Sequence, residues 1–297
     1  MRYIDKTGIA SSKGKAIIDN WVIKNQAKIA LLSAQEDPKS DELWKMFRRK
    51  KKEIQPYLFE EQGGLCCYCG CELIQRKYYL VIEHFKLKSE KRNFQYPNIF
   101  DYSNLLLSCH GNKFELYEVK NGDTWAEIAA NKCTFDGDKL PKLREWNPDI
   151  DLVNGEPLEG ENLIVGFISG SNHRHCDSYK GEEDLPINPT ELPNCIDRFV
   201  YTVKQEGEEG HIKAAKNDDE DAILTIKNLN LQSEILIRKR EQRVEDVRNL
   251  LDDISKLGLD NKEDLVNAIR FYLSKVKGFY VVYRAYFKDS IPELFQD

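Results

Sequence analysis

A chain of 297 residues is long enough for one large domain or two small ones, and 41% hydrophobic with 32% charged residues excludes a disordered or fibrous protein. No apolar run approaches the ~20 residues of a membrane span, and Met1-Arg2-Tyr3-Ile4-Asp5 lacks the apolar core of a secretory signal, so a cytosolic protein is expected. The net charge of −6 argues against nucleic acid until its distribution is read: residues 1–58 carry 13 Lys and Arg against 7 acids, and residues 114–192 carry 7 against 17.

In chain order, Ser40 predicts the N-cap of a helix bearing Leu43, Trp44, Met46 and Phe47. The run Arg48-Arg49-Lys50-Lys51-Lys52 follows, either a solvated helix face or a contact for a phosphate backbone. Pro56 kinks this helix or opens the next, and Gly63-Gly64 stops it. Tyr78-Tyr79-Leu80-Val81-Ile82 predicts a strand behind a Cys-rich turn. Residues 114–170 are broken by Gly, Asp, Asn and Pro and predict a loop-rich insertion with one short helix near Thr124–Ala130.

Towards the C-terminus, Ile223, Ile226, Leu229, Leu231, Ile235 and Leu236, then Val244, Val247, Leu250, Leu251, Ile254 and Leu257, recur at helical spacing as core stripes. Gly258 closes that stretch, and Asp260 with Glu263 predicts a capping box for a helix that buries Leu265, Val266, Ile269 and Leu273. The chain therefore divides into an N-terminal helical region with a basic face (1–62), a core carrying the acidic insertion of about 114–170 (63–192), and a C-terminal helical region (193–297). The expected class is α+β, mostly helical.

Eight cysteines are present, and Cys66, Cys67, Cys69 and Cys71 fall within six residues. In a reducing compartment such clustering points to metal. Cys66-x-x-Cys69 can present two thiolates to one Zn²⁺ at about 2.3 Å, and Cys109 and Cys176 would complete a four-sulfur site. Cys67 or Cys71 could substitute, whereas Cys133 and Cys195 read as small buried hydrophobes.

Beside these cysteines stand Glu83-His84, Asn104 and Asp177. Phosphodiester cleavage needs a deprotonated water in line with phosphorus and positive charge on the phosphoryl and departing oxygens. His84 suits the general base. Glu83 and Asp177 suit a hard cation such as Mg²⁺ or Mn²⁺, and Asn104 could brace the loop bearing His84 and fix the imidazole orientation through hydrogen bonds. Lys180 could be a surface lysine or a phosphate contact. Structural zinc would staple a ββα unit too small to bury enough apolar surface alone.

Leu65-Cys66-Cys67-Tyr68-Cys69-Gly70, Ile82-Glu83-His84-Phe85, Tyr102-Ser103-Asn104-Leu105-Leu106 and His175-Cys176-Asp177-Ser178-Tyr179-Lys180-Gly181 resemble the HNH endonuclease superfamily. More narrowly they resemble the PtuB-type HNH proteins of Septu and retron anti-phage systems, as do Ile187-Asn188-Pro189-Thr190 and Thr225–Leu231 with Arg238. The resemblance covers about residues 55–110 and 170–245. It implies a ββα-metal nuclease core with His84 as base, Glu83 as the acidic metal ligand, Asn104 as the middle Asn and Asp177 at the third position. Glu83 stands where the family usually has Asp, and Asp177 where the superfamily has His or Asn, with His175 and His110 as nearby alternatives. The 66 residues between Cys109 and Cys176 exceed the usual spacing, which places an insertion before the final helix. The resemblance also implies a nucleic-acid substrate and an ATPase partner of the ABC/SMC type.

Overall fold

The computed structural model describes residues 1–33, 40–73, 80–86, 99–111, 174–180, 185–204, 207–257, 261–275 and 278–295, together with the backbone of five strands between 114 and 167. The protein is α+β and mostly helical among these residues, as expected from the sequence. None of their helices is long and apolar enough to cross a membrane.

Helix α1 (Ile9–Ser33) packs on α3 (Arg48–Glu61), with the short α2 (Ser40–Met46) preceding α3. The single basic helix expected from Ser40 onward is two helices, because Phe47 turns inward. Its fully buried ring meets Trp21, Trp44 and Phe100, with centroids 5.0, 5.4 and 5.9 Å away. Aromatic contacts of this kind outweigh the single helical turn lost at Phe47. Pro56 is carried inside α3 and opens no new helix. The helix ends in a Schellman motif in which Gly64 N–H reaches Phe59 O and Gly63 N–H reaches Glu60 O. Both glycines have positive φ (58° and 71°), which a side chain would resist.

Strands β1 (Leu80–His84) and β2 (Leu105–Cys109) pair antiparallel in a register that sets Leu80 opposite Cys109 and His84 opposite Leu105. All of β2 is buried. It is pinned to the end of α3 by Gln62, whose Oε1 accepts from Leu107 N–H (2.6 Å) and whose Nε2 donates to Leu107 O (2.8 Å) and Leu65 O (2.7 Å). Every polar valence of this buried amide facing the hairpin is thus met by backbone.

The described residues of the insertion are strands that its sequence did not announce. Strands β3 (Phe114–Val119), β4 (Leu143–Arg144), β5 (Leu152–Val153), β6 (Glu156–Pro157) and β7 (Asn162–Phe167) form a three-stranded antiparallel sheet ordered β3-β7-β4 and a separate β5-β6 pair. The β-branched and aromatic residues at 114–119 and 162–167 favour extended pairing. The helix expected near Thr124–Ala130, and Cys133, lie outside the described residues.

After the one-turn α4 (Asp177–Lys180), strands β8 (Phe199–Tyr201) and β9 (Ile212–Ala214) pair. Helices α5 (Glu220–Asn228), α6 (Glu234–Lys256), α7 (Lys262–Lys275) and α8 (Tyr280–Phe287) follow. Leu229, Leu231, Leu236, Val244 and Val247 are fully buried as their periodicity requires, but Ile223 (47% exposed) and Leu257 (68%) face solvent. Each stands at or near an element's end, where the stripe has rotated away from the core. Asp260 of the expected capping box lies outside the described residues, and Asn261 caps α7. Asn261 Oδ1 accepts from Asp264 N–H (2.8 Å), and its Nδ2 donates to the Asp264 carboxylate (2.6 Å). Gln62→Ala, which strands the Leu107 N–H, is expected to lower unfolding stability by about 1–3 kcal/mol. A urea midpoint equal to wild type would remove the brace from the fold's framework.

Candidate metal centre and carboxylate pair

The cysteine-rich turn closes on itself through Cys66 N–H to Cys71 O (2.9 Å) and Gly70 N–H to Cys66 O (3.1 Å), with Gly70 at φ 73°. Cys67 N–H to Leu107 O (3.0 Å) fastens it to β2. Cys109 ends β2, and its N–H points at Cys66 Sγ (3.3 Å). Cys176 precedes α4 in a left-handed conformation (φ 55°) that costs a non-glycine residue about 1–2 kcal/mol. It is held there by its N–H on Leu229 O (2.9 Å), and Asn230 Nδ2 donates to Arg174 O (2.8 Å).

Three distant stretches thereby bring the thiols of Cys66, Cys69, Cys109 and Cys176 within 4.8 Å of one another, all buried. Cys66–Cys176 and Cys69–Cys109 are 4.0 and 3.8 Å apart. Tetrahedral Zn²⁺ with Zn–S of about 2.3 Å requires sulfurs roughly 3.8 Å apart, whereas a disulfide requires about 2.05 Å. The four sulfurs could hold a structural metal such as zinc, and they are the set expected from the spacing. Cys67 and Cys71 fall outside it. Cys195 is fully buried, as read.

The thiols influence one another strongly. Burial opposes charge on Cys66, but hydrogen bonds with Cys109 and Cys176 outweigh it and hold its thiol well below the ordinary range. Burial, and then its bonds to the same cluster, push Cys176 well above it. A divalent ion bound there would take all four as thiolates. His175 Nδ1 lies 3.1 Å from Cys176 Sγ and 3.9 Å from Cys109 Sγ, at the thiol end of the site. His110 is pushed down to about 4, first by burial and then by His175.

Glu83 forms a second locus. It is buried, and its Oε1 accepts from Tyr68 Oη (2.9 Å) and Lys180 Nζ (2.6 Å). Burial alone would raise its pKa. A hydrogen bond with Asp177, then the Lys180 ammonium, then the Tyr68 hydroxyl reverse that and hold it below the usual carboxylate value. Glu83 and Asp177 therefore form a carboxylate pair beside the thiols. The Lys180 placement corrects its reading as a nucleic-acid contact. Only 2% exposed, its ammonium also donates to the carbonyls of His84 and Phe85 (3.2 Å each), so it serves the strand end and offers nothing to solvent.

His84 follows Glu83 on β1, and strand alternation sends it to the opposite face. Its ring meets Trp44 edge-on (centroids 4.5 Å), and Nε2 lies 3.1 Å from Ile99 O. A carbonyl can only accept, so Nε2 carries the proton and the lone pair of the neutral ring is on Nδ1. Asn104 braces the two residues after His84. Its Oδ1 accepts from Lys86 N–H (2.7 Å), its Nδ2 donates to Lys86 O (3.0 Å), and Phe85 N–H reaches Asn104 O (3.0 Å). The imidazole itself is oriented by Ile99 and Trp44.

The basic run opens α3. Arg48, Arg49 and Lys52 are exposed, Lys50 pairs with Glu53, and Lys51 Nζ sits 4.1 Å over the Trp44 ring that meets His84. Sequence reading assigned no role to Tyr68, although it lies between two ligand cysteines, nor to Trp44 beyond the core. It also passed over Arg240. This fully buried side chain donates from Nη1 to Gly210 O (3.1 Å) and Leu231 O (2.8 Å), bracing the turn that holds Cys176.

No family model matches the chain, and no curated protein matches it. Cys176→Ser is expected to lower zinc affinity by at least tenfold, and stripping zinc with a chelator to lower the melting temperature of the wild type markedly. A melting curve indifferent to both would deny the metal a structural role.

Proposed function

We propose that the protein is a metal-dependent endonuclease of the HNH type that hydrolyses phosphodiester bonds of DNA, or of RNA, as the effector of an anti-phage system with an ABC/SMC-type ATPase. The observation that carries this reading is the end of the β1–β2 hairpin. It bears the Glu83–Asp177 carboxylate pair on one face and, on the other, an imidazole whose tautomer leaves Nδ1 as the basic nitrogen. The carboxylate oxygens suit Mg²⁺ or Mn²⁺, which would supply charge to the phosphoryl oxygens. In this reading His84 takes a proton from the attacking water, and Asn104 keeps the Phe85–Lys86 bend in place beneath the scissile phosphate.

The start of α3 supports an anionic substrate. Five cations occupy the positive end of a helix macrodipole, with no acid in the first turn and no side-chain cap at Phe47. Such an arrangement is locally unfavourable, and a phosphate backbone would relieve it. The ATPase partner and the defence role rest on the resemblance of the motifs.

A second reading is a zinc-stapled binding or adaptor module without catalysis. It is favoured by the Lys180 ammonium on Glu83 and by the burial of His84, which is 4% exposed. Supercoiled plasmid incubated with purified protein and Mg²⁺ or Mn²⁺ separates the two. Nicking that falls at least about 10²-fold in His84→Ala supports the nuclease. Equal cutting by that variant removes His84 from the mechanism, and a gel shift without any cutting supports the adaptor.

A further inference from the structure

The Glu83–Asp177 pair already has a cation. Lys180 closes the single turn of α4 that Asp177 opens, and at this i, i+3 spacing both side chains reach Glu83 from one face of the helix. The ammonium has three protons and three acceptors: Glu83 Oε1 at 2.6 Å, His84 O at 3.2 Å and Phe85 O at 3.2 Å. Its hydrogen-bonding capacity is filled by the chain itself, in a place from which water is excluded.

Charge determines what else can enter. A hydrogen bond between two carboxyls needs a proton, so the pair with its shared proton and the ammonium is neutral as it stands. A divalent ion added beside the ammonium produces a positive site even once the shared proton has left for solvent, whereas the same ion in place of both the ammonium and that proton produces a neutral one. In a buried, low-dielectric setting the neutral combination is strongly preferred. Geometry agrees, since a metal bound to Glu83 Oε1 at about 2.1 Å would face the ammonium on the same oxygen.

We propose that Lys180 is the built-in counter-cation of the Glu83–Asp177 pair and that a divalent metal binds there only by displacing it. This rests on reading the pair as a metal site. Displacement also withdraws the donor from the carbonyls of His84 and Phe85, so metal entry is coupled to the strand end that bears His84. The alternative is that Lys180 remains on Oε1 and orients Glu83 for a metal elsewhere on the carboxylate, which makes the lysine a helper and not a competitor.

The two cases predict opposite signs in a titration of the zinc-loaded full chain with Mn²⁺, free ion being read by electron paramagnetic resonance. Lys180→Met and Lys180→Gln are expected to bind Mn²⁺ at least tenfold more tightly than wild type. Lys180→Arg, which keeps the charge, is expected to match wild type. Adding Glu83→Gln to Lys180→Met should abolish the gain and so locate it at the pair. The glutamine variant retains a donor to Glu83 if the methionine variant does not fold, with zinc content and circular dichroism as the check. Neutral variants that bind equally or more weakly than wild type overturn the proposal. Tightened Mn²⁺ binding without plasmid cleavage upholds the displacement and removes the nuclease. Cleavage by wild type with Mn²⁺ affinity unmoved at Lys180 does the reverse.

Discussion

Four buried thiols cannot all carry charge in one place without a cation among them, and the rest of the site depends on that constraint. Cys66 and Cys69 come from one turn, Cys109 from the end of β2 and Cys176 from the start of α4. Closing a loop across the intervening insertion costs entropy that the short α4 could not offset alone. Each group that organises Glu83 is also tied in sequence to a thiol: Tyr68 lies between Cys66 and Cys69, while Asp177 and Lys180 follow Cys176 within four residues. A metal at the sulfurs would therefore assemble the carboxylate pair as well as the fold.

Charge is partitioned along the same lines. The chain is acidic overall, yet five consecutive cations open α3, and one of them sits over the Trp44 ring, which makes a T-shaped contact with His84. The imidazole and the basic helix start are thus linked through a single indole. Lys180, by contrast, spends its charge internally. Two lysines that look alike in sequence differ because one stands on a solvated helix face and the other closes a turn aimed at a buried carboxylate.

The thiol ligands were legible because metal coordination demands particular residue types, and four such residues recur beside polar motifs. The helical stripes were legible because burial enforces a period, so Val266 and Ile269 lie where their spacing puts them. The break at Phe47 was not, since it depends on which aromatic rings α1 and Phe100 bring to it from elsewhere in the chain. Gln62 gave no signal for the same reason: its partners are backbone groups, which carry no residue identity. Strands in the insertion were hidden by the Gly, Asp, Asn and Pro breakers of its sequence. The cap of α7 at Asn261 was not singled out because the aspartate before it in sequence offers an equally good capping side chain.

A single metal ion bonded to Cys66, Cys69, Cys109 and Cys176 would organise this protein. X-ray absorption at the zinc edge of the purified full chain tests it most directly. A first shell of four sulfurs at about 2.3 Å is the predicted spectrum. A shell containing nitrogen or oxygen at about 2.0 Å, or protein that folds with no zinc bound, would contradict it.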